Sequence, residues 1–316
     1  MTATHLPGSR RAIVTVGTFD GIHRGHQEIL VEIVRRARAT GRVSVLVTFE
    51  PHPLKIVAPE RAPCLLSSAA EKRLLWPLFG LDYVHVLPFT EALRQLPPED
   101  FVRRILIDQL RVGELVIGYD HGFGKDRKGD AETLRRLGTE MGFGVDVVGP
   151  VEVGQSAISS RRIRHAVAVG DLTAATAALG RPYSVLGEVV RGAGRGRGLG
   201  FPTANIRLDD PAKCLPPEAV YAVRVDIGGE WFDAMANLGP RPTFGERNPR
   251  FEAHLLDWSP GEPLYGERPM VGFVARLRGV RRFGDPGELI AQLERDREDA
   301  RILLAREAAG VGGGVA

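Results

Sequence analysis

The stretch Gly17-Thr18-Phe19-Asp20-Gly21-Ile22-His23-Arg24-Gly25-His26 decides the architecture of the first half of the chain. It stands between a short β-branched run, 12–16, and a helical pattern that places Ile29, Leu30, Ile33, Val34 and Ala37 on one face. In a parallel sheet, a Gly-rich turn from strand to helix lies at the carboxyl edge. There the helix N-terminus offers free N–H groups and partial positive charge to an anion. Glycine allows the backbone to approach a phosphate closely. His23 falls at the helix entrance and His26 one turn along, so both face the same cavity. The turn contains neither Gly-x-x-x-x-Gly-Lys-Ser/Thr nor Gly-x-Gly-x-x-Gly, which sets it apart from the two familiar phosphate loops.

Outward from this turn, Gly41 ends the helix and 43–49 begins a second strand. Further strands are expected at 83–87, 115–117 and 145–148, with helices around 101–110 and 130–141. This alternation predicts a doubly wound parallel α/β sheet with right-handed crossovers. Near Gly180-Arg181-Pro182 the pattern changes to short runs separated by Gly, Pro and Asp. The runs 184–190, 219–227, 231–236, 251–256 and 271–277 have the spacing of a small antiparallel β-barrel. A closing helix at about 285–307 carries Leu289, Leu293, Ile302 and Leu303. The expected organisation is two domains, 1–180 and 181–309, with 310–316 as a flexible tail.

The chain has 42 Lys and Arg against 39 Asp and Glu, too even a balance to argue for a nucleic-acid partner. Its 43% hydrophobic and 26% charged content is that of a folded chain and excludes global disorder. No apolar run approaches the roughly 18 residues of a membrane span, and the first residues lack the apolar core of a secretory signal. No membrane partner is therefore expected. Cys64 and Cys214 are the only cysteines, far apart in sequence. They argue against a disulfide framework, offer no metal cluster, and fit a reducing, cytoplasmic setting.

Other segments carry anion chemistry. Ser159-Ser160-Arg161-Arg162-Ile163-Arg164 follows a strand and opens a helix, bringing hydroxyls and guanidinium forks to another helix N-terminus. Gly118-Tyr119-Asp120 and Phe49-Glu50-Pro51-His52-Pro53 end strands on the same predicted edge. The Gly- and Arg-rich loop 191–200, with Arg197, can meet phosphate; it is short and has no interleaved aromatics, unlike an RGG-type nucleic-acid segment.

His-x-Gly-His after a strand resembles the nucleotidyltransferase superfamily, which attacks the α-phosphate of ATP and expels pyrophosphate. From about Ile13 to Arg301 the chain resembles the bifunctional prokaryotic riboflavin kinase/FMN adenylyltransferase family, also called FAD synthetase. The resemblance is carried by 17–26, 48–53, Gly118-Tyr119-Asp120, Ile158-Ser159-Ser160, Leu179-Gly180-Arg181-Pro182-Tyr183, Gly200-Phe201-Pro202-Thr203-Ala204-Asn205 and 237–243. It implies an N-terminal nucleotidyltransferase domain, a C-terminal riboflavin kinase barrel, and two successive ATP-dependent transfers, riboflavin to FMN and FMN to FAD. ATP, riboflavin and FMN would be the substrates and Mg²⁺ the cofactor of a monomer or weak homo-oligomer.

For adenylyl transfer the resemblance points to His23, His26 and Arg164 as catalytic residues. It assigns Gly17, Thr18, Phe19, Asp20, Gly25, Gly118, Asp120, Ser159, Ser160 and Arg197 to ATP and its phosphates, and His52, Pro53 and Asn237 to flavin. In the kinase half it assigns Thr203 and Asn205 to Mg²⁺ and the ATP phosphates, two hard oxygen donors on one face of an extended segment. Glu252 matches the general base for the ribityl 5′-hydroxyl. The chain departs from the family pattern with Arg161 where Thr is usual, His121 and Gly122 where Phe and Arg are usual, and Ala219 where Gly is usual. A kinase with impaired adenylyl transfer, or a flavin- or nucleotide-binding regulator, are the alternatives to this reading.

Overall fold

The structure is a computed structural model. It describes residues 11–119, 122, 129–154, 156–192, 198, 200–239, 251–258 and 264–311. Asp120, His121, Arg197 and the end of the expected tail, 312–316, lie outside the described residues. The chain forms two compact units, one of Met1–Cys64 and Lys72–Ser160, the other of Leu65–Glu71 and Arg161–Ala316. Along the chain the division falls after Ser160, whereas the sequence pattern changes near 180, because helical sequence up to 179 clusters with the second unit.

The first unit contains β1 (Ala12–Val16), α1 (Arg24–Thr40), β2 (Val43–Glu50), α2 (Leu54–Val57), most of α3 (Ala69–Leu75) and β3 (Tyr83–Pro88). It continues through α4 (Glu91–Arg94), α5 (Pro98–Phe101), β4 (Val112–Gly118), α6 (Ala131–Met141), β5 (Gly144–Val148) and a small hairpin, β6 (Glu152–Val153) and β7 (Ser156–Ala157). The sheet is parallel with strand order β3-β2-β1-β4-β5. The chain therefore builds outward from β1 on one side, then resumes on the other, and the order reverses between β1 and β4. Helices cover both faces, so β1 is buried throughout rather than alternating. Ile13 and Leu46 pack with Leu30 and Ile33 of α1, while Val14 and Val45 pack on the opposite face with Leu106 and Leu137.

Helix α1 buries Ile29, Leu30, Ile33, Val34 and Ala37, the face its periodicity predicts, and ends on Gly41 at φ 63°, a left-handed cap. The helix expected at 101–110 is instead α5 followed by a π-helical turn at Val102–Ile107. There Asp108 N–H donates to the Arg103 carbonyl and Leu110 N–H to that of Ile105, one residue wider than an α-turn.

The second unit holds nearly all of α7 (Ser160–Val169), α8 (Leu172–Leu179) and strands β8 (Tyr183–Val190), β9 (Ala204–Leu208), β10 (Ala219–Ile227), β11 (Glu230–Leu238), β12 (Phe251–Leu255) and β13 (Met270–Gly279). It ends with α9 (Pro286–Val311). The strands close a barrel in the order β10-β11-β12-β9-β8-β13. Tyr183, Tyr221, Phe251 and Phe273 are almost wholly buried, with Phe251 and Phe273 stacked at 5.8 Å. Strand β9 is the one the sequence reading lacks. Ala300 and Leu304 of α9 pack on Phe201, Ala222 and Met235. Ile302 is exposed, whereas Ala300 and Leu304, one turn apart, are wholly buried, with Asp296 a turn earlier bound by Arg278. The helix also runs through Val311, past the expected start of the tail.

Leu65–Glu71, drawn from the first half of the chain, belongs to this barrel unit. Leu65 exchanges backbone hydrogen bonds with Ala212 and Cys214, each at 2.8 Å. The Glu71 carboxylate accepts from Lys213 Nζ at 2.5 Å and from the Leu186 N–H at 2.8 Å, while Ser68 and Glu71 form a reciprocal capping box at the start of α3. Neither cysteine is a free thiol, so the expectation of a reducing setting loses the support it drew from their separation in sequence.

Candidate active sites

The turn Gly17–His26 lies at the carboxyl end of β1, beside the strand where the sheet order reverses, the usual ligand position in an open α/β sheet. Gly17 N–H donates to the Val47 carbonyl at 3.0 Å, tying the turn to β2. Phe19 and Ile22 hold φ of 46° and 41°, and Gly21 φ of 85°, so the turn concentrates left-handed backbone that only strong local anchoring maintains. That anchoring is visible in named bonds. The Thr18 carbonyl accepts from Lys72 Nζ at 2.6 Å and from Thr48 Oγ1 at 3.3 Å, the Asp20 carbonyl from Ser160 Oγ at 3.0 Å, and the Ile22 carbonyl from Gln27 Nε2 at 2.9 Å.

His23 is the N-cap of α1, its Nδ1 accepting from His26 N–H at 3.3 Å. The two imidazoles stack with centroids 3.6 Å apart, and Phe19 lies 4.8 Å from His26. A Cβ at Gly25 would come within 3.3 Å of the His23 ring, so glycine gives this stack its room. His26 Nδ1 is buried and has no hydrogen-bond partner among the described residues. Burial, then the neighbouring His23 and Lys72, hold the His26 pKa well below the ordinary imidazole value. The ring is therefore neutral at neutral pH, one of its nitrogens a donor and the other an acceptor.

The other residues expected in the first unit are spread along its strand ends. Gly118 ends β4, and Tyr119 after it is exposed. His52 Nδ1 accepts from Leu54 N–H at 3.2 Å and Pro53 caps α2, so both are engaged in a local turn. Glu50 pairs with Arg73 at 2.9 Å. Ser159 and Ser160 precede and open α7; Arg161 and Arg164 belong to the second unit, Arg161 exposed and Arg164 half-buried. Lys72 carries no motif signal in the sequence, yet its ammonium is buried against the turn.

In the barrel, strand register brings together residues that are distant in sequence. Asn205 on β9 faces Glu252 on β12, and Glu252 faces Asn237 on β11. Directly opposed residues have Cβ atoms about 4.5–5.5 Å apart, so the three side chains form one row. Phe251 and Ala253 flank Glu252 and are buried, which turns Glu252 to the opposite, half-buried face. Thr203 is exposed just before β9. His254 Nδ1 lies 2.8 Å from the Pro202 carbonyl, an acceptor only, so this nitrogen carries the proton and fixes the segment leading to Thr203. Burial keeps the His254 pKa below the ordinary value.

A Cβ on Gly192 would stand 2.1 Å from Asn205 Nδ2, so a bare glycine backbone packs against this amide. Among the described residues no group of three or more His, Cys, Asp or Glu is placed to hold a metal ion. A hydroxyl and an amide oxygen nevertheless suit Mg²⁺, which takes few protein ligands and completes its shell with water and phosphate oxygens. Thr203 and Asn205 fit that role.

A Gly-rich turn at the switch point of a parallel sheet, and a closed barrel bearing an amide–carboxylate–amide row, give each half of the chain a candidate site of a kind that suits a phosphorylated ligand. The family model described as FAD synthetase matches residues 6–162, and that described as riboflavin kinase matches 179–304. The bifunctional riboflavin kinase/FMN adenylyltransferase of Pseudomonas fluorescens is 40% identical over 303 residues, covering 96% of each chain. The protein of the same description from Escherichia coli strain K12 is 36% identical, covering 92% of this chain and 91% of its own. That of Bacillus subtilis strain 168 is 32% identical, covering 92% of each. A crystal structure described as a macrolide-efflux protein from Streptococcus pneumoniae superposes with a TM-score of 0.83 at 34% identity, covering 93% of this chain and 95% of that one. Among the described residues no helix is long and apolar enough to cross a membrane. The chain belongs to the bifunctional riboflavin kinase/FMN adenylyltransferase family.

Proposed function

We propose that this chain carries out both transfers of its family, phosphorylating riboflavin to FMN and adenylylating FMN to FAD with release of pyrophosphate. The observation that carries this reading is the row Asn205–Glu252–Asn237, which sets a carboxylate between two amides in one strand register. In the kinase reaction Glu252 accepts the proton of the ribityl 5′-hydroxyl as that oxygen attacks the γ-phosphorus of ATP and ADP leaves. Thr203 and Asn205 would hold Mg²⁺, which when bound would neutralise charge on the triphosphate. Asn237 orients the flavin beside Glu252, and Arg197 meets the ATP phosphates.

In the adenylyl transfer an FMN phosphate oxygen attacks the α-phosphorus of ATP, forming the new P–O bond as the bond to pyrophosphate breaks. No covalent enzyme intermediate is needed. His23, His26 and Arg164 stabilise the charge that develops on phosphate, a positioning and electrostatic task. Gly17, Thr18, Phe19, Asp20, Gly25, Gly118, Asp120, Ser159 and Ser160 surround the nucleotide, and His52 and Pro53 contact the flavin. The functional division is 1–180 for adenylyl transfer and 181–309 for the kinase. The protein acts in the cytoplasm on soluble flavins and ATP, as a monomer or weak homo-oligomer, with neither nucleic acid nor membrane as partner.

Arg161 is exposed, which favours tolerance of this departure, since backbone N–H groups do most of the phosphate binding at a helix N-terminus. Incubation with riboflavin, ATP and Mg²⁺, with FMN and FAD separated over time, should give FMN first and then FAD. FMN alone from the wild type, with FAD restored by Arg161→Thr, would leave a kinase with an impaired second site.

A further inference from the structure

Lys72 is a buried cation with no place in the reading above. It is 8% exposed, and its Nζ donates to the Thr18 carbonyl at 2.6 Å. Around it stand Asp20 on the turn and Glu50 at the end of β2, both acting on its charge, and Glu50 is shared with Arg73. His26, stacked on His23, faces it from α1. The bonded carbonyl precedes the left-handed residues Phe19, Gly21 and Ile22, the part of the turn least able to hold its own shape.

We propose that Lys72 is a positioning residue for adenylyl transfer, clamping the Thr18 carbonyl and setting a fixed positive charge beneath the turn that carries His23 and His26. This rests on the assignment of adenylyl transfer to that turn. A clamped carbonyl fixes the direction of the following N–H groups, and preorganised donors are what stabilise a phosphate transition state. The ammonium also acts on His26: burial is the largest cause of its low pKa, the charge of His23 the next, and that of Lys72 the third. Lys72 itself is held below its ordinary value by burial, against the pull of Asp20 and Glu50, which favour the ammonium.

The sign follows directly. A depressed His26 pKa keeps the ring neutral at neutral pH, and removing the Lys72 charge moves that pKa up toward about 6.5. The experiment uses full-length Lys72→Met and Lys72→Arg, with the His26 ring resonance assigned by its loss in His26→Gln. In Lys72→Met, kcat for FAD formation from FMN should fall about 10²-fold with KM for FMN little changed. The His26 resonance should titrate at higher pH than in the wild type, and Lys72→Arg should return it to the wild-type position.

A merely structural lysine would lower turnover without moving the His26 titration. An unmoved titration in Lys72→Met, or wild-type kcat, overturns the proposal. Should Lys72→Met not fold, Lys72→Gln takes its place under the same two criteria. If the wild type makes no FAD, the functional assignment fails, and the titration still decides whether Lys72 acts on His26.

Discussion

At the scale of single residues, the barrel site turns on two side chains with different tasks. Glu252→Gln keeps size and hydrogen bonding but cannot take the hydroxyl proton. Riboflavin phosphorylation should fall by about 10²- to 10⁴-fold, with KM for Mg-ATP little altered. Gly192→Ala should do the reverse, since its Cβ would displace the Asn205 amide from the packing seen here. KM for Mg-ATP should rise more than kcat falls. Steady-state kinetics on riboflavin separate the two, and equal effects of both variants on KM would remove Glu252 from proton transfer. All three members of the row were recognisable as motif residues in the sequence; their adjacency was not, because β9 is a five-residue strand that starts inside the Gly200–Asn205 motif.

Among the elements, α3 and the segment before it show how a short piece of chain is secured. Glu71 and Lys213 are almost fully buried, with side-chain exposures of 4% and 3%, and Lys213 also donates to the Leu66 carbonyl. The Lys213 ammonium lies 4.6 Å from the centre of the Tyr183 ring, whose hydroxyl donates to the Cys214 carbonyl at 2.8 Å. A buried pair is no guarantee of net stability, but breaking one leaves an uncompensated charge. Lys213→Met should therefore destabilise the second unit by about 3–5 kcal/mol, and the double variant Lys213→Met, Glu71→Gln should recover part of that loss. Urea unfolding followed by tryptophan fluorescence in a Trp76→Phe background, which leaves Trp231 and Trp258 of the second unit as reporters, tests it; a loss below about 1 kcal/mol would show that Glu71 is satisfied without its partner. The Ser68-x-x-Glu71 capping box is a purely local arrangement, whereas the lysine that pairs with Glu71 lies far along the chain.

For the whole molecule, the two reactions should separate by mutation, because the motifs assigned to adenylyl transfer lie within 1–180 and, apart from Arg197, those assigned to the kinase follow residue 200. His26→Ala should abolish FAD formation from FMN and leave riboflavin phosphorylation largely intact. Parallel loss of both activities in a folded variant would contradict the assignment of one reaction to each half.

Sequence alone determined the face that α1 buries, the Gly41 cap, the parallel sheet followed by a barrel, and the residues that carry the family's motifs. These are products of short-range rules: helix and strand periods, turn chemistry, and the residue types that phosphate and proton transfer require. Tertiary structure decided that Leu65–Glu71 joins the barrel, that Asp296, Ala300 and Leu304 rather than Ile302 line the inner face of α9, that Asn205, Glu252 and Asn237 form one row, and that Lys72 reaches the Thr18 carbonyl. Each of these depends on which distant segments close on one another. Strand register and the partner of a buried charge arise from closure of the whole chain, and no local pattern encodes them.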